Sequence, residues 1–95
     1  MSSQVSDVLK ERGARYGAFR THAQHSQVLK EHVLGRIFWD PSRKDINDVI
    51  SEGMEMILHK IARVMNGDPY YADNWIDIAG YAQLVADELS DKIKI

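Results

Sequence analysis

The chain has 95 residues, 44% hydrophobic and 27% charged, which fits one small folded domain and excludes a two-domain enzyme, a disordered tail and a membrane-embedded protein. Twelve Lys and Arg against fourteen Asp and Glu leave a net charge of −2, too near neutral for a domain that coats nucleic acid through bulk charge. There is no cysteine, hence no disulfide, thiolate metal site or cysteine nucleophile. With no run of about 18 apolar residues and no signal-peptide layout at the start, the sequence points to a reducing cytoplasm.

Taken in chain order, the pattern is helical throughout. Val5, Val8 and Leu9 make a short apolar stripe that runs into a break between Gly13 and Gly17. From about Ala18 to Gly35, Phe19, Ala23, Val28, Leu29 and Val33 recur at helical spacing, and Gly35 is the expected stop. The segment Phe38-Trp39-Asp40-Pro41-Ser42-Arg43-Lys44 reads as a loop with its aromatics tucked against the rest. Asp45 can cap a third helix to about Met65, with Ile46, Val49, Ile50, Ile57, Ile61, Val64 and Met65 on one face. Asn66-Gly67-Asp68-Pro69 stops it, through a left-handed Asn or Gly and a proline that cannot continue the helix. A fourth helix starts near Asp73 and runs to about Leu89, with Trp75, Ile78, Ala82, Val85 and Leu89 inward. The expected architecture is a single all-α domain over residues 1–95, a compact bundle of three to four helices. Met54, Met56, Ile76 and Leu84 lie off the main stripes, which together with the small size favours a homo-oligomer.

Several residues can carry chemistry. Asp48, Glu52, Glu55, His59 and Arg63 form one charged stripe on the third helix. Glu52 and Glu55 can share a divalent cation, although the same spacing suits an ordinary solvated face. Lys60 falls on the margin of the buried face, where a lysine must snorkel, pair or meet a ligand. On the fourth helix Asp73, Asp77, Gly80, Tyr81 and Leu84 make a second stripe that sets two like charges and a mid-helix glycine together, each a local cost. Asp77 either serves a ligand there or neutralises Lys60 or Arg63. Arg12, Arg15, Tyr16 and the glycines at 13 and 17 offer guanidinium for phosphate and a ring for stacking. His22, His25 and His32 read as surface histidines, because a zinc site needs more ligands than they supply.

In order, Arg15-Tyr16-Gly17, Glu52-Gly53-Met54-Glu55, Lys60-Ile61-Ala62-Arg63 and Asp73-Asn74-Trp75-Ile76-Asp77-Ile78-Ala79-Gly80-Tyr81 resemble small phage proteins of the MazG-like, all-α nucleotide pyrophosphohydrolase superfamily. The likeness covers about residues 11 to 89. It implies an oligomeric helical bundle with a nucleotide pocket between helices. In the catalytic members a Glu-Glu-x-x-Glu helix and a Glu-x-x-Asp helix hold Mg²⁺ against phosphates. Glu52 and Glu55 match the second and third glutamates and Asp77 the final aspartate, while Ser51 and Asn74 stand where two further acids belong.

The resemblance therefore implies one of two functions. The first is a phage protein that captures a phosphorylated, nucleotide-derived small molecule, such as a host defence signal, in the cytoplasm of an infected bacterium. Arg15, Tyr16, Lys60, Arg63, Asp77 and Tyr81 would line that pocket, in one cavity with Glu52 and Glu55. The second is a nucleoside triphosphate pyrophosphohydrolase with Mg²⁺ on Glu52, Glu55 and Asp77. A structural or interaction protein is the third alternative, and no membrane or bulk nucleic acid is expected as a partner.

Overall fold

The structure, a computed structural model, describes residues 3–90. Helix α1 spans Ser3–Tyr16, α2 Phe19–Leu34, α3 Lys44–Asn66 and α4 Ala72–Ser90, with a 3-10 turn at Pro41–Arg43. No strand occurs among the described residues, so the all-α reading holds. None of the helices among them is long and apolar enough to cross a membrane.

The axis of the fold is α3, whose 23 residues span about 34 Å at the usual helical rise. Its start is built by Asp40. That carboxylate accepts from the Ser42 backbone N–H at 3.0 Å and the Ser42 hydroxyl at 2.7 Å, while the Asn47 amide donates to the Asp40 carbonyl at 2.7 Å. Pro41 sits at the first position of the turn, where a missing N–H costs nothing. Packing follows from this long central helix: α2 lies along one side of α3 and α4 along another, while α1 touches α2 and α3 more sparingly.

Between these helices the buried set is small and partly polar. Leu58 and Ala62 are the buried hydrophobic residues among those described, joined by His22 and Ser26 from α2, Lys60 from α3 and Asn74 from α4. Gly53 is buried because Val85 of α4 occupies the space a Cβ would need, so this glycine sets how closely α3 and α4 approach.

Several local expectations are corrected. Gly13 does not interrupt α1, which runs to Tyr16; the break is Gly17, whose φ of 79° is the left-handed cap that glycine adopts without strain. Gly67 ends α3 without that conformation, its φ being −135°. Phe38 is fully exposed rather than tucked in, and Met65, Trp75, Ala82 and Leu89 also face solvent. Trp75 instead donates its Nε1–H to the Pro69 carbonyl at 3.1 Å, stitching the first turn of α4 to the loop before it. On α2 the inward arc holds His22 and Ser26, and Val28 is on the outside.

Candidate ligand-binding cavity

The break between α1 and α2 locks onto the loop between α3 and α4. The Asp68 N–H donates to the Arg15 carbonyl at 2.7 Å, and the Asn66 side-chain amide donates to the carbonyls of Tyr16 at 2.9 Å and Ala18 at 3.0 Å. A Cβ on Gly17 would strike Asn66, and one on Gly67 would strike the backbone of Arg15 and Tyr16, so both glycines are there for close approach. Arg15 adds an ion pair to Asp68 at 3.5 Å and covers the Tyr71 ring at 4.4 Å. Arg15 thus belongs to this clasp.

The clasp fixes Tyr16 beside α3. The Arg63 guanidinium stacks 4.2 Å above its ring, and Tyr71 meets that ring edge-on with centroids 6.2 Å apart. Beside them α1, α2 and α3 border a half-open cavity of about 500 Å³ lined by Arg12, Tyr16, Phe19, His22, His59 and Arg63, with Leu9, Gly13, Gly17 and Ala18 completing it. That volume is in the range of small-molecule sites. Arg12 and Arg63 have no carboxylate partner among the described residues.

His22 and His59 face each other across the α2–α3 interface, rings edge to face with centroids 4.6 Å apart. His22 is 6% exposed, and no hydrogen bond reaches either of its ring nitrogens. Burial first, then the positive charges of Arg63, Lys30, His25 and Lys60, hold the His22 pKa below its ordinary value. Burial, then His22, Arg63, Lys30 and Lys60, push His59 down to about 4. Both imidazoles are therefore neutral at pH 7, in a neighbourhood whose charges are basic. The surface reading of His22 is corrected, while His32 is exposed as expected.

The remaining sequence candidates fall elsewhere. Lys60, with its side chain 11% exposed, reaches Asp77 across α3 and α4 with Nζ 2.9 Å from Oδ2. Glu52 and Tyr81 share a groove of about 420 Å³ between α3 and α4, floored by Val49, Leu84 and Val85. Tyr81 and Asp77 also border an open depression with Ile76, Gly80 and Leu84. Glu55 is half-buried on α3. The structure thus joins Tyr16 with Arg63, Lys60 with Asp77, and Glu52 with Tyr81, but does not bring all eight residues to one cavity. Nor are Glu52, Glu55 and Asp77 gathered for a metal: among the described residues no three His, Cys, Asp or Glu side chains are grouped to hold one. Asp77 already has an ammonium as its partner, which competes with a cation.

Of the cavity residues, Arg12 belongs to the same arginine cluster as Arg15 and His59 to the charged stripe of α3, while Phe19 and His22 carry no site expectation. Helical projection carries a signal for one of them: His22 lies in register with Ser26, Leu29 and Val33, the arc that α2 turns toward α3.

Residues 3–89 match the family described as a domain of unknown function, DUF6378, and the chain belongs to that family. No curated protein and no solved structure matches it.

Proposed function

We propose that this DUF6378 protein binds a phosphorylated, nucleotide-derived small molecule in the cavity between α1, α2 and α3. The observation that carries the reading is the convergence of two arginines without carboxylate partners, Arg12 and Arg63, with the Tyr16 and Phe19 rings and a buried histidine pair on one space. Guanidinium groups match phosphate oxygens, and an aromatic face suits a base. His59, half-buried in the same wall, gives such a ligand a polar partner, with the unpartnered His22 behind it.

Capture is favoured over hydrolysis because Glu52, Glu55 and Asp77 are dispersed and Asp77 is held by Lys60. The resemblance to MazG-like phage proteins extends the proposal to sequestration of a host defence signal in an infected bacterial cytoplasm. Self-association belongs to the same reading. Ile76, Leu84, Trp75 and Leu89 leave α4 with more exposed apolar surface than a lone small bundle gains from, and light scattering at the monomer mass would remove that part.

The test is to incubate the purified protein with a nucleotide panel and Mg²⁺, then analyse solution and denatured protein by mass spectrometry. Intact ligand released only on denaturation is the expected result. Accumulating pyrophosphate or monophosphate would replace capture with hydrolysis, and no retained or converted nucleotide would reject the reading.

A further inference from the structure

The His22 ring packs on Phe19 and His59, but its two nitrogens have no task that the fold makes visible. Neither ring nitrogen of His22 is hydrogen-bonded, although the side chain is buried, and its contact with His59 is a ring edge against a ring face. A buried polar group left without a partner is costly, and native structures seldom retain one without a use. Here the pair forms part of a cavity wall that also carries Arg12 and Arg63.

The charges around the pair decide what can meet it. Arg12 faces the cavity from α1. From α2, Lys30 acts on both imidazoles and His25 on His22, and from α3 Arg63 and Lys60 act on both. Glu55, one turn before His59 on α3, is not among these influences, and α4 adds none. Such a field opposes a bound metal cation and favours an anion of high charge density.

We infer that the cavity selects a terminal phosphomonoester, and that the His22–His59 pair takes up one proton from solvent as that group enters. The inference rests on the ligand class proposed for this cavity and adds the form of phosphate it takes. A phosphomonoester has a second pKa of about 6 and is close to a dianion at pH 7, whereas a phosphodiester carries one negative charge. Two guanidinium groups already balance a dianion. Its second charge, brought beside the imidazoles, stabilises the imidazolium that the empty cavity disfavours. Protonation converts a neutral contact into a charge-assisted hydrogen bond and makes both nitrogens of that ring donors. A diester supplies too little charge to reverse the bias of the basic neighbours. No bond is made or broken; the step is proton uptake alone.

The experiment uses the full chain with the four nucleoside 5′-monophosphates and their 3′,5′-cyclic counterparts. Calorimetry at pH 7 in buffers of different ionisation enthalpy counts protons, while the imidazole ¹⁵N signals of His22 and His59 are followed from pH 5 to 8. The expected result is at least one 5′-monophosphate bound about tenfold or more tightly than its cyclic counterpart. Net proton uptake accompanies it, one imidazole titrates at higher pH in the complex, and affinity weakens above pH 7. His59→Gln, at the half-buried partner, should abolish the uptake and the preference while its far-ultraviolet circular dichroism at pH 7 stays that of the parent chain, which loss of fold would not allow. Equal binding of both classes without uptake overturns this inference and leaves the cavity's ligand class standing. Binding of neither class overturns this inference, and the proposed ligand class falls with it only if the wider mass-spectrometric panel also retains no nucleotide.

Discussion

Removing Asp77 should destabilise the protein more than removing the charge of Lys60. The two form one ion pair at 2.9 Å, but the Lys60 side chain is 11% exposed and that of Asp77 47%. Asp77→Ala leaves a buried ammonium with no carboxylate. Stranding one partner of a fully buried pair costs roughly 3–5 kcal/mol, and an exposed pair contributes about 0–1, so a pair open on one side should lose about 2 kcal/mol. For a chain of this size that lowers the melting temperature by roughly 8–16 °C. Lys60→Met keeps the apolar stem in place and leaves Asp77 to water, so its cost should stay within about 1 kcal/mol. The double variant should recover most of the Asp77→Ala loss, because no stranded charge remains. Urea and thermal unfolding followed by circular dichroism at 222 nm provide the comparison. A Lys60→Met variant at least as unstable as Asp77→Ala, or a double variant no better than Asp77→Ala, would refute the reasoning.

Gly17→Ala should cost about 2–3 kcal/mol in the same unfolding assay, since it combines a left-handed backbone with a Cβ directed into Asn66. Stability should fall on acidification from about pH 6.5 toward 4. With both histidines depressed in the folded state, the unfolded chain binds more protons across that window, so stability is full above 6.5 and lost below it. Because His59 is only partly buried, the loss attributable to it should be about 1–2 kcal/mol, and His59→Gln should flatten that part of the urea-midpoint profile. Arg63→Ala should lower nucleotide affinity by about tenfold or more while changing the unfolding free energy by no more than about 1 kcal/mol, because it gives up a stacking contact and no ion pair.

The helices were legible because their signals are local. Pro41 and the Asn66–Pro69 stretch bound α3 within a residue or two of the expected ends, and α4 begins at Ala72, one residue before the expected Asp73. What the apolar pattern missed follows from its own assumption that inward means hydrophobic. On α2 the buried residues are His22 and Ser26, in register with the apolar Leu29 and Val33, while Phe19 and Val28 of the same apolar set face outward. On α4 the buried side chain is Asn74, and Trp75 serves the loop before the helix. The Arg15-Tyr16-Gly17 motif was visible as chemistry, but its partner, Asn66-Gly67-Asp68, lies 50 residues away and was visible only as a stop. Their interlocking assigns Arg15 to the clasp and Tyr16 to the cavity. Lys60 on the margin of a buried face announces a partner, and neutralising Lys60 is one of the two roles the sequence offers for Asp77.

Ligand entry between α1, α2 and α3 is tested most directly by amide chemical-shift mapping. A bound nucleotide from the panel, titrated into ¹⁵N-labelled protein, should perturb residues 12–22 and 59–63 together, with little change around 48–53 and 81–88. Perturbations centred on 48–53 and 81–88 would place the ligand in the Glu52–Tyr81 groove and contradict the account.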